Sequence, residues 1–257
     1  MVAAPAVAET KLVGPLSQGN LIMGQTAPGS TVTLDGRRVR VTSGGTFIIG
    51  FARDAEPKAT LVVTSSKGAR ETRTLAIAKR TYKIQRIDGL PPKMVTPPPE
   101  TLARIKRDRA EIKAARAHDT PEPMFLTGWA WPAKGPISGV YGSQRILNGK
   151  PRWPHFGVDV AAPEGTPVTA PADGIVRLAV TDHYYTGGTV ILDHGHGLNS
   201  AFLHMATVTA VVGRRIKRGQ KIGTIGATGR ATGPHLDWRI NWYDRRVDPQ
   251  PLAGPMR

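Results

Sequence analysis

The chain has 257 residues, 40% of them hydrophobic, which is enough apolar material for a buried core and excludes a disordered protein. Its formal charge of +16 favours anionic partners such as nucleic acid, anionic lipid or an acidic wall polymer. The Lys and Arg residues are spread along the chain, however, and this argues against a dedicated nucleic-acid site. The absence of cysteine excludes disulfides, thiolate metal sites and a cysteine nucleophile, and no apolar run is long enough to span a bilayer.

The first residues end in Ala6-Val7-Ala8 before Glu9. This small-x-small pattern matches the end of a secretory signal, although the basic start and long apolar run of such a signal are missing. Residues 1–10 are therefore expected to be a disordered end or a signal remnant, and the protein to be periplasmic or associated with the cell envelope.

From 11 to 90 the sequence predicts a β module. Thr31–Leu34 meets Asp35-Gly36, a two-residue hairpin signal, and Arg38–Val41 alternates on the far side. Phe47–Phe51, Thr60–Thr64, Thr72–Ile77 and Tyr82–Ile87 follow at regular spacing, as in a small sandwich. Leu90-Pro91-Pro92 and Pro97-Pro98-Pro99 then mark an extended linker. Glu100 to Ala117, rich in Ala, Arg, Lys and Glu, reads as one exposed, charged helix lying against a domain. Linker and helix together occupy 91–123.

The last domain, 124–257, reads as antiparallel β. Its strands are Ile175–Val180, Thr189–Asp193, Ser200–His204 and Leu236–Ile240, with Gly- and Pro-rich connections. The fold class is thus mainly β: an N-terminal sandwich-like module, a Pro-rich linker with one charged helix, and a C-terminal antiparallel β domain.

The residues with chemistry lie in this last domain. Hydrolysis at a metal needs three protein ligands, an open position for water and a nearby group to move protons. His155 and Asp159 are four apart, and on a regular strand they would share a face. His235 and Asp237 are two apart and share one likewise, and His204 ends a separate strand. Asp193-His194-Gly195-His196 looks like a metal-binding pair but reads as a structural strand end. His118 and His183 read as solvated. Arg152 and Tyr185 are candidates to line a groove, with Thr186-Gly187-Gly188 and Ala227-Thr228-Gly229 as its walls.

His155-x-x-x-Asp159, then Phe202-Leu203-His204, then Gly233-Pro234-His235-x-Asp237, together with the flanking Gly157–Val168 and Ile225–Pro234, resembles the lysostaphin/LytM-type peptidoglycan metalloendopeptidases. The resemblance covers roughly 135–249. It implies one zinc ion held by His155, Asp159 and the residue at 237, catalytic assistance from His204 and His235, and peptidoglycan as substrate. Other cell-envelope proteins are further candidate partners, and no specific nucleic acid is expected. The family has His where this chain has Asp237. Two carboxylates and one imidazole would cancel the charge of a divalent ion and weaken its polarising power; a harder donor set also changes metal preference. The alternative is a catalytically impaired domain that binds the wall and regulates a separate amidase.

Overall fold

A computed structural model describes residues 10–87, 99–147 and 149–256. The signal-like start and most of the Pro-rich linker lie outside these residues. The chain divides into two compact units, one running up to Thr81 and taking in Arg245–Val247, the other holding the remainder.

The first unit is built of β1 (Lys11–Val13), β2 (Leu21–Gln25), β3 (Thr31–Leu34), β4 (Arg37–Val39), β5 (Thr46–Gly50), β6 (Lys58–Thr64) and β7 (Arg70–Ala76). They form two antiparallel sheets, β1-β2-β5 and β4-β3-β6-β7. Side chains alternate between faces along a strand, so β6 buries Ala59, Leu61 and Val63 while the residues between stay outside. Ile22, Phe47 and Ile49 supply the buried positions of the other sheet. Asp35 and Gly36 both take positive φ (50° and 78°), the backbone that a two-residue hairpin turn requires.

The second unit begins with β8 (Ile84–Ile87) and α1 (Leu102–Arg116). It continues through β9 (Ile137–Gly139), β10 (Gln144–Leu147), β11 (Lys150–Pro151), β12 (Val158–Ala161), β13 (Pro167–Thr169), β14 (Gly174–His183), β15 (Gly187–Gly195), β16 (Leu198–Val208), β17 (Arg215–Ile216), β18 (Lys221–Ile225) and β19 (His235–Trp242). The main sheet runs β17-β14-β15-β16-β19-β12-β9, and every pairing in it is antiparallel. The last strand expected in the N-terminal module, Tyr82–Ile87, behaves differently. Ile84–Ile87 pairs in parallel with β10 and belongs to this second unit.

β15 is buried along its whole length. Helix α1 covers one of its faces, where Ala115 packs with Leu178, Ile191, Ala201 and Leu203. Polar anchors also hold the helix. Asp108 is buried and accepts a hydrogen bond from the Tyr184 backbone N–H (2.8 Å), and the Arg104 guanidinium donates to the Asp182 carbonyl (2.8 Å). His183, read as solvated from sequence, is buried, with Nε2 3.1 Å from Glu111 Oε2 on the same helix. An aliphatic stripe is a poor guide to this helix because a carboxylate and a backbone amide make the contact.

Candidate metal centre

Three neighbouring strands bring the site together. In their register, Leu203 of β16 lies opposite Asp237 of β19, and Asp237 lies opposite Asp159 of β12. Both carboxylates thus start from adjacent backbone positions. His155 is not on a regular strand; it sits in the extended segment before β12. Its N–H donates to the Ser143 carbonyl (2.7 Å), and its own carbonyl accepts from the Gly142 N–H (2.7 Å). These backbone bonds, and not the shared strand face expected from the four-residue spacing, aim the ring at Asp159.

The donor atoms converge. His155 Nε2 lies 3.0 Å from Asp159 Oδ1 and 3.5 Å from Asp237 Oδ2, and the three residues form a group able to hold a cation. Two donors bound at ordinary zinc distances to one tetrahedral centre would be about 3.4 Å apart, so these separations fit. His155 Nε2 and Asp159 Oδ1 are buried, yet neither makes a well-aligned hydrogen bond, as expected of atoms that face a shared third partner. His155 Nδ1 lies 3.3 Å from the Val140 carbonyl. A carbonyl only accepts, so Nδ1 carries a proton and it is Nε2 that faces the site, where it would give its lone pair to a bound ion in place of a second proton. Burial opposes protonation of His155, but the two close carboxylates outweigh it and push its pKa up to about 10. The cluster therefore demands positive charge, as a proton or as a metal ion.

Arg239 is the residue that sequence reasoning missed. Its Nε donates to both oxygens of Asp237 (2.9 and 3.0 Å), and Nη2 donates to Oδ2 (2.5 Å). Burial alone would raise the pKa of Asp237, but the Arg239 charge and His155 hold it well below the usual carboxylate range. The signal was available, since residues two apart on a strand share a face. Two glycines make room for the carboxylates. A Cβ on Gly139 would come within 2.1 Å of Asp159 Oδ2, and one on Gly157 within 2.5 Å of Asp237 Oδ1.

His204 and His235 stand together, ring centroids 4.8 Å apart. His204 has a positive φ of 65°, a costly backbone for a residue with a side chain and one that tends to mark functional positions. Its N–H donates to the Thr186 carbonyl and its Nδ1 to the Thr228 carbonyl, both at 2.8 Å. His235 Nδ1 donates to the Gly233 carbonyl at 2.8 Å. Both rings thus keep Nε2 as an acceptor. Burial lowers the pKa of His204 and keeps it neutral near pH 7. The two Gly-rich loops brace each other, because the Gly188 N–H donates to Thr228 Oγ1 (2.9 Å). The Arg230 guanidinium lies 4.4 Å from the Tyr185 ring centroid.

His194 and His196 have structural partners. His194 is fully buried, with Nδ1 2.7 Å from the Asp173 carbonyl and Nε2 2.6 Å from Ser200 Oγ. His196 Nε2 lies 2.9 Å from the Pro121 carbonyl. His118 is exposed.

Comparison with known proteins points the same way as the geometry. Residues 153–249 match the model of peptidase family M23. The chain is 39% identical over 103 residues to the peptidoglycan DD-endopeptidase ShyA of Vibrio cholerae, covering 40% of this chain and 24% of that protein. It is 38% identical over 101 residues to the DD-carboxypeptidase/endopeptidase Mpg of Neisseria meningitidis, covering 39% and 23%. The chain thus spans about a quarter of the length of these curated relatives. A crystal structure of a Pseudomonas aeruginosa protein described as a peptidase M23 superposes with a TM-score of 0.73 at 29% identity, covering 94% of this chain and 96% of that one. The antiparallel β domain that carries His155, Asp159, His204, His235 and Asp237 thus contains a peptidase M23 domain over residues 153–249, similar to the lysostaphin/LytM-type metallopeptidases.

Proposed function

We propose that the protein is a metal-dependent endopeptidase that hydrolyses peptide bonds in the cross-links or stems of peptidoglycan, acting in the periplasm or cell envelope. The observation that supports this most is the convergence of His155 Nε2, Asp159 Oδ1 and Asp237 Oδ2 on one small volume. These three residues would hold a single divalent ion, zinc by analogy with the family. When bound, the ion supplies Lewis acidity to the scissile carbonyl and to the attacking water.

The chain's own residues do the rest. His204, neutral and with Nε2 available, accepts a proton from the attacking water. His235, held in the same tautomer beside it, accepts a hydrogen bond from that water at Nε2 and so orients it, and the proton taken up by His204 passes on to the amine that leaves. Their Nδ1–H bonds to fixed backbone carbonyls keep both rings in place through the proton transfers. The positive charge of the chain favours attraction to an anionic wall. Among the described residues no helix is long and apolar enough to cross a membrane.

The test is cleavage of purified peptidoglycan fragments, followed as newly released amino groups. Cleavage is expected with the native protein, and it should be abolished by a chelator and by His155→Ala. Native protein that carries its ion but cuts no muropeptide would remove the proposal.

A further inference from the structure

We infer that Arg239 is the charge-balancing and positioning residue of the metal centre, and that Asp237 and Arg239 together take the part of one neutral ligand. The inference rests on the reading of His155, Asp159 and Asp237 as a cation site.

An imidazole at position 237 would bring no charge, whereas Asp237 brings one negative charge. Two carboxylates and one imidazole would then just neutralise a divalent ion. Arg239 changes this. Its guanidinium is bonded to both oxygens of Asp237, it feels the charge of Asp159 as well, and it stays protonated at any pH the protein meets. With Arg239 counted, the occupied site keeps the single net positive charge of a site with two imidazoles and one carboxylate. The weakening of water polarisation expected from Asp237 alone is thereby offset.

The same fork fixes direction. It holds the carboxylate so that Oδ2, and not Oδ1, is the oxygen 3.5 Å from His155 Nε2. Gly157 allows this arrangement, since a Cβ there would meet both Asp237 Oδ1 and the Arg239 stem (2.5 and 2.7 Å). The arrangement has a consequence for affinity: a fixed cation against a ligand carboxylate must weaken the binding of a second cation. The guanidinium is partly exposed (26%), so the effect is screened but not removed.

The experiment is zinc affinity, measured at fixed pH by competition with a chromogenic chelator, with folding checked by circular dichroism. Arg239→Gln keeps polar contact but removes the charge, and it is expected to bind zinc about tenfold or more tightly than the native protein. Arg239→Lys keeps the charge and should stay within about threefold of native. A second comparison covers the case in which Arg239→Gln does not fold. Asp237→His alone leaves Arg239 uncompensated, so it should bind zinc at least about tenfold more weakly than Asp237→His combined with Arg239→Gln.

A fall of about 10–100-fold in Arg239→Gln is the usual result of losing a partner that merely orients a ligand. It would overturn the charge-balancing role and leave the cation site standing. Unchanged affinity in Arg239→Gln, or no difference between the two Asp237→His proteins, would overturn it too. Binding by Arg239→Gln but not by the native protein would support the inference and remove the native metalloenzyme. No binding by any of the proteins would remove both.

Discussion

His194 makes this protein sensitive to acid in a calculable way. The ring is fully buried, meets the edge of Trp129 (centroids 5.0 Å apart), donates from Nδ1 to the Asp173 carbonyl and accepts at Nε2 from Ser200 Oγ. Burial lowers its pKa from 6.5 to about 4, against the smaller opposing effects of the Asp173 carbonyl and the charges of Asp193 and Asp173. In the unfolded chain the same ring takes up a proton below about pH 6.5. Between these values the unfolded state binds more protons than the folded one, so stability declines as pH falls. The contribution is fully present above about 6.5 and gone below about 4. At 1.36 kcal/mol per unit this amounts to about 3 kcal/mol, a sizeable share of a domain's stability. Urea denaturation at pH 7.5 and 4.5 measures it against His194→Asn, which keeps a donor and an acceptor in place but cannot titrate. The native protein should lose about 2–3 kcal/mol more than the variant between the two pH values. Parallel losses would refute the argument.

Four further outcomes follow from the same geometry. Gly139→Ala puts a methyl group against the Asp159 carboxylate and should weaken zinc binding about tenfold or more while the circular dichroism spectrum stays native-like. His204→Ala should lower kcat by about 10²–10⁴-fold while the metal content remains unchanged. Asp108→Ala removes the buried carboxylate that accepts from the Tyr184 N–H, and urea denaturation should show a loss of about 1–3 kcal/mol. Because the two carboxylates hold a proton on His155 up to about pH 10, zinc uptake at pH 7 should release about one proton and affinity should fall as pH falls. Calorimetry in buffers of different ionisation enthalpy reads that proton directly, and an uptake independent of the buffer would count against it.

The strands of the first unit could be read from alternation, and the Asp35-Gly36 hairpin from turn chemistry, because both are local properties of the chain. His155, Asp159 and Asp237, which the structure brings together, were singled out by resemblance to the motifs of a known family, because none of these residues is a strong signal alone. Features set by long-range partners were not legible. Nothing in Ile84–Ile87 says that its neighbour is Gln144–Leu147 in parallel. The docking of α1 depends on Asp108 meeting a backbone amide far away in sequence, and the burial of His183 depends on Glu111. His155 reached Asp159 by a route that periodicity did not predict, through backbone bonds to Ser143 and Gly142. Arg239 lay within reach of a simple rule, two residues beyond Asp237 on the same strand face.

The most direct test of the central claim is elemental analysis of the purified protein after dialysis against a trace of zinc. The convergence of His155, Asp159 and Asp237 predicts about one ion per chain, lost in His155→Ala and in Asp159→Ala but kept in His204→Ala. Native protein without stoichiometric metal, or an ion that survives both ligand substitutions, would contradict it.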